Sequence, residues 1–126
     1  MKNAMDLVMA AKARITEVPA ADAPAAVREA DVLIDVREES EFAAGHIPGA
    51  IHASRGMLEF KLSANPALQA RDLKVLVYCK TSGRAALAAV AMQEMGYLNV
   101  RSIAGGFDAW VAAGQAVAKP EQPNFG

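Results

Sequence analysis

The sequence predicts an α/β domain built on a mostly parallel sheet. Short apolar, β-branched runs alternate along the chain with segments of helical spacing. Val32-Leu33-Ile34-Asp35-Val36 is almost uninterrupted in its apolarity, as a central strand buried on both faces is. At 126 residues the chain has the length of one ordinary domain with one core.

Each element follows from local chemistry. Residues 3–14 place Met5, Val8, Met9 and the stem of Lys12 on one face at helical spacing, predicting a short amphipathic helix with that face inward. Ile15 to Val18 alternates as a brief strand does, and Pro19 opens an alanine-rich helical segment to Ala30. After the strand at Val32–Val36, Ser40 to Ala44 has room for about one helical turn. Gly45-His46-Ile47-Pro48-Gly49-Ala50 then enforces a reversal, in which His46 is assigned to bonding the turn backbone. Ile51 to Ala53 is a second short strand, Met57 to Lys61 a turn or two of helix, and Asn65-Pro66 breaks it and starts another. Lys74 to Cys79 is the clearest strand of the chain. Arg84 to Met95 runs without Gly or Pro until Gly96 ends it as a C-cap does. Asn99 to Ile103 is a last strand, and Phe107 to Ala113 a last helix, with Phe107 and Trp110 in its core face.

Composition sets limits. Hydrophobic residues make up 53% and charged residues 21%, which is globular and not disordered chemistry. With 13 basic and 14 acidic residues the net charge is −1, so no general attraction to nucleic acid or to a membrane surface is expected. The single cysteine cannot form an internal disulfide, which fits a reduced cytoplasm. The apolar N-terminal stretch is cut by Asp6, Lys12 and Arg14 before it reaches signal-core length, and no run approaches the ~20 apolar residues of a membrane span.

The residues that carry chemistry converge on Cys79. Its strand delivers it to the carboxyl edge of the sheet, where open α/β folds bind their ligands, so it is expected in a crevice. The loop Lys80-Thr81-Ser82-Gly83 must reverse the chain before the helix from Arg84, which turns successive N–H groups into an anion-holding nest beside the helix's first turn. Making a free cysteine mostly thiolate at neutral pH takes roughly 2.7 kcal/mol of preference for the anion. A helix terminus supplies about 0.3–1 kcal/mol when exposed and up to ~2 when partly buried. Direct N–H donors and the charges of Lys80 and Arg84 are needed for the remainder. A lone cysteine ending an apolar strand can equally be an inert buried thiol, and the two cations flanking a loop of small residues are what favour a nucleophile.

Four stretches, in this order, make the sequence resemble the rhodanese-like family: Asp35-Val36-Arg37-Glu38 with Glu41-Phe42; Gly45 to Ala50; Tyr78-Cys79 with the loop to Arg84; and Gly105-Gly106-Phe107 with Ala109-Trp110. The resemblance covers about Val32 to Val117. It implies a five-stranded parallel sheet flanked by helices, and divides the chain into an N-terminal helix at 1–14, a rhodanese-like domain at 15–118 and a loose tail at 119–126. It also implies a single-domain thiosulfate sulfurtransferase in which Cys79 carries a sulfane sulfur as a persulfide. The sulfur would come from thiosulfate or another small-molecule sulfane donor and pass to cyanide, a thiol or an acceptor protein. Arg84 would hold the loop shut, Lys80 would contact the sulfonate of the donor, and Asp35 would support the site from behind. Arg55, beside Gly56, is read either as lining the pocket mouth or as an ordinary surface arginine, and Asp35 either as pairing with an arginine or as facing water. Ala53, Ile103 and Ala109 depart from the family's usual residues, all outside the loop.

Other readings stay open. A persulfide relay loaded by a separate enzyme, or a protein-binding module docking a partner through the N-terminal helix, would use the same scaffold. A cysteine phosphatase or arsenate reductase also sets a thiolate in a loop ending in arginine, but that loop is one residue longer than Lys80–Gly83. No second cysteine supports thioredoxin-type exchange, His46 and His52 make a poor metal cluster, and neither a dinucleotide fingerprint nor a phosphate loop is present, so no metal or cofactor is expected.

Overall fold

The computed structural model describes residues 1–120. Its centre is a parallel sheet of β1 (Thr16–Val18), β2 (Val32–Asp35), β3 (Ile51–His52), β4 (Lys74–Tyr78) and β5 (Asn99–Ile103), in the order β1-β5-β4-β2-β3. The helices are α1 (Ala4–Lys12), α2 (Ala23–Glu29), α3 (Glu39–Ala44), α4 (Leu58–Ala64), α5 (Gly83–Glu94) and α6 (Gly106–Ala112), with 3-10 turns at Ala20–Asp22, Arg55–Met57 and Pro66–Leu68. Most of the expected tail, residues 121–126, lies outside the described residues.

Successive residues of a strand face opposite sides of a sheet, and the core divides accordingly. On one face Ile34, Val75, Val77, Cys79 and Val100 pack with Leu58 and Leu62 of α4 and with Ala85, Ala88, Ala89 and Met92 of α5. On the other, Leu33, Leu76, Tyr78 and Ile103 pack with Ala23 and Ala26 of α2 and with Trp110 of α6. Alanines let α2 and α5 approach the sheet closely, which is how a chain with few aromatic residues fills both layers.

The inward face of α1 matches the expected one at Val8 and Lys12, both half-buried, and differs from it at the two methionines. Met5 and Met9 are exposed, whereas Ala11 is buried and Val8 approaches Gly83 at the start of α5. Asn3 and Asp6 form a capping box that fixes where α1 begins.

Sheet order determines where a site can form. Neighbouring β2 and β4 send the chain in opposite directions from their carboxyl ends, β2 toward β3 and β4 toward β5. The loops part there and leave a switch point, and both the Asp35 strand end and Cys79 lie beside it.

Candidate active site

Beneath the switch point lies a buried polar cluster. Asp35, fully buried, accepts from Arg37: Nη2 at 2.7 Å and Nε at 3.1 Å to Oδ2, and the Arg37 amide at 2.9 Å to Oδ1. Arg37 Nη2 also donates to the Gly45 carbonyl at 2.6 Å, and its guanidinium lies 4.2 Å from the Phe107 ring centroid. Burial works against the Arg37 charge, yet the hydrogen bond and charge of Asp35 outweigh it and raise the guanidinium above its ordinary value. Tyr78, opposite Asp35 in the β2–β4 register, accepts from the Ile47 amide at 3.0 Å. Burial, reinforced by the Asp35 carboxylate, pushes its phenol well above the usual range. Of the two sequence expectations for Asp35, the arginine partner is the one realised. Arg37 stands beside Asp35 in the sequence motif without an assigned role, although the two are two residues apart, a spacing that puts both side chains on one side of an extended chain.

Cys79 follows Tyr78 directly, and its residue is only 1% exposed. The thiol is buried in the core beside the start of α5 and not in an open crevice as expected. Two interactions tie the loop that follows it to neighbouring helices. The Phe107 and Asp108 amides of α6 donate to the carbonyls of Cys79 and Lys80 at 2.8 and 3.0 Å, which aims those oxygens at α6 and away from the sulfur. Gly106 makes this approach possible: at φ +55 it adopts left-handed backbone, and a Cβ there would stand 2.4 Å from the Cys79 and Thr81 carbonyl oxygens. The sulfur itself accepts from the Ala85 amide in the first turn of α5, at 3.4 Å. Among the described residues that helix amide, and not one from Lys80 to Gly83, is the donor to the sulfur.

The second tie is Arg84. Its Nη1 and Nη2 donate to Glu41 Oε1 and Oε2 at 2.7 and 3.1 Å, a fork that ties the start of α5 to α3. The Arg84 bond, with the Glu38 amide on Oε1 adding to it, holds the Glu41 carboxyl down at about 2, and Glu41 in turn raises Arg84. Lys80 is held as well, its Nζ lying 2.7 Å from Asp108 Oδ2 on α6, where the sequence left it free to meet a substrate. Thr81 is exposed and Ser82 half-buried at the rim, and Ser82 is the N-cap residue of α5. Arg55 pairs with Glu59 at 2.9 Å and borders a cleft between α1 and α5 with Leu7, Arg14, Leu87 and Glu94. His46 stacks on Phe42, and its Nδ1 lies 3.0 Å from the Phe42 carbonyl, inside its turn. Glu41 and Asp108, the partners of both loop cations, were missed because nothing local in the sequence links them to Lys80 and Arg84.

Among the described residues no group of His, Cys, Asp and Glu is placed to hold a metal ion, and no helix is long and apolar enough to cross a membrane.

A five-stranded parallel sheet flanked by helices, with a cysteine directly after its central strand and a short loop tied to α3 and α6, defines an α/β class of protein. The rhodanese-like domain family matches residues 19–113, most of the chain, and the protein belongs to that family. Thiosulfate sulfurtransferase GlpE of Pseudomonas putida is 35% identical over 86 residues, 68% of this chain and 74% of that one. The polysulfide-sulfur transferase of Wolinella succinogenes, solved as a homodimer, is 33% identical with a TM-score of 0.74, covering 92% of this chain and 87% of the other. A Rhodopseudomonas palustris protein of unknown function, described as a possible tyrosine phosphatase, is 35% identical with a TM-score of 0.86 over 94% of this chain and 96% of its own.

Proposed function

We propose that the protein is a sulfurtransferase that carries a sulfane sulfur as a persulfide on Cys79. The observation that carries the reading is the Ala85 amide directed at Cys79 Sγ at 3.4 Å, inside a loop closed by the Arg84–Glu41 fork. An amide at a helix start stabilises a thiolate, and next to it a persulfide anion, without itself changing protonation.

With thiosulfate as donor, the Cys79 thiolate attacks the outer sulfur, a new S–S bond forms to Cys79, the S–S bond of the donor breaks, and sulfite leaves with the electron pair. Cyanide or a thiolate then attacks the outer sulfur of the persulfide, and Cys79 departs as the thiolate it began as. Each cycle moves one sulfur and needs no oxidant. Because Cys79 is covered, a donor reaches it only when its surroundings open, and the Arg84–Glu41 fork is one of the contacts that hold the loop closed. Relatives are named for their sulfur donors, thiosulfate in the Pseudomonas putida protein and polysulfide in the Wolinella succinogenes one, and a sulfane donor with a thiol or cyanide acceptor is the substrate pair we assign to Cys79. A thiol that must stay reduced fits work in the cytoplasm.

The test is steady-state thiocyanate formation from thiosulfate and cyanide. Wild type is expected to turn over and Cys79→Ser to be inactive, and activity in Cys79→Ser would remove the basis of the reading. The description of the Rhodopseudomonas palustris relative keeps a phosphatase reading in view. The four residues between Cys79 and Arg84 make a tight ring, which suits one sulfur atom better than a tetrahedral phosphoryl group. Hydrolysis of an aryl phosphate without thiocyanate formation would favour the phosphatase.

A further inference from the structure

Resting on the Cys79 reading, we propose that Asp108 is a specificity-determining residue that lowers the preference for thiosulfate relative to sulfane donors of lower charge. Lys80 is the loop cation best suited to meet a small anion, since Arg84 is committed to Glu41 through two hydrogen bonds. Lys80, however, is bound twice by one residue: its ammonium pairs with Asp108 Oδ2 at 2.7 Å, and its carbonyl accepts from the Asp108 amide at 3.0 Å. Asp108 sits in the first turn of α6, whose next amide toward the N-terminus, that of Phe107, holds the Cys79 carbonyl. The ammonium is thereby kept on α6.

The charges around the loop therefore cancel in pairs: Arg37 with Asp35, Arg84 with Glu41, Lys80 with Asp108. A dianion such as thiosulfate gains little from such a site, and it must displace Asp108 to reach Lys80. An organic persulfide has no sulfonate to place. With it, the Cys79 thiolate takes the outer sulfur, the S–S bond of the donor breaks, and the organic thiol leaves carrying the donor's proton. The Lys80–Asp108 pair is exposed, with side chains 59% and 49% accessible, so displacing it costs little and the expected bias is moderate.

The experiment measures kcat and KM for thiosulfate and for cysteine persulfide with wild type, Asp108→Asn, Asp108→Glu and the double variant Lys80→Ala/Asp108→Asn. Asp108→Asn is expected to lower the thiosulfate KM about two- to five-fold at unchanged kcat, with the gain shrinking as salt rises and disappearing in the double variant. Asp108→Glu should behave as wild type, and the KM for cysteine persulfide should be the same in Asp108→Asn as in wild type. An unchanged or raised thiosulfate KM in Asp108→Asn, or equal changes for both donors, overturns the proposal while leaving the Cys79 reading intact. Failure of wild type with both donors overturns the two together.

Discussion

The buried Asp35–Arg37 pair and the exposed Lys80–Asp108 pair have the same 2.7 Å separation but opposite consequences for stability. Arg37 is 4% exposed, so removing Asp35 leaves a buried charge without its counter-charge. Asp35→Ala is expected to cost about 3–5 kcal/mol in urea unfolding, whereas Asp108→Asn should cost less than about 1 kcal/mol; equal losses would contradict this reading of the cluster. Gly106 tests the loop's anchor. Its left-handed backbone and the carbonyl oxygens 2.4 Å from any added Cβ mean that Gly106→Ala must push the loop off α6. We expect that variant to lose at least about 2 kcal/mol and most of its thiocyanate-forming activity. A fully active, equally stable Gly106→Ala would show that the tether to α6 is not needed.

At the scale of elements, the Arg84–Glu41 fork joins α5 to α3 across 43 residues of sequence. The Glu41 carboxyl is held at about 2, below its ordinary value near 4.5, so the fork's stabilisation is fully present above the unfolded value and fades as pH falls from about 4.5 to about 2. Both side chains are about a third exposed, which limits the contribution to about 1 kcal/mol. Glu41→Gln should therefore be less stable than wild type at pH 7 and about equal to it at pH 2, as urea unfolding at the two pH values would show; a constant difference would exclude the fork as its source. This contact also marks what could be read from the sequence. The strand into Cys79, the reversal after it and the glycine-free helix beyond are local patterns, and each stands in the structure within a residue or so. That two cations flank the loop was legible; that each has a carboxylate partner was not, since Lys80 and Asp108 lie 28 residues apart and only the packed fold brings them together. The amphipathic pattern of α1 predicts the helix itself and the inward Val8, and misses at Met5 and Met9 for a related reason. Periodicity shows that apolar faces exist, but only the packed fold turns Val8 and Ala11 inward and leaves Met5 and Met9 exposed.

Across the whole molecule, the sheet order sets Cys79 between two diverging loops, and the flanking helices convert that position into a covered site. α5 supplies the amide at the sulfur, α6 pulls the loop carbonyls outward, and α3 holds Arg84. From the far side of α5, α1 buttresses this arrangement, with Val8 Cγ2 lying 3.4 Å from where a Cβ on Gly83 would stand. Val8→Ala removes part of that support and should cost about 1 kcal/mol in urea unfolding; no loss would show that α1 does not brace the loop. The account as a whole stands on the sulfur passing through Cys79. Mass spectrometry with peptide mapping, after treating reduced protein with a sulfane donor and removing the excess, reads this directly. One added sulfur on the Cys79 peptide, released by cyanide as thiocyanate and missing from Cys79→Ser, is the predicted result. Turnover by a wild-type protein whose Cys79 never gains sulfur would contradict the account.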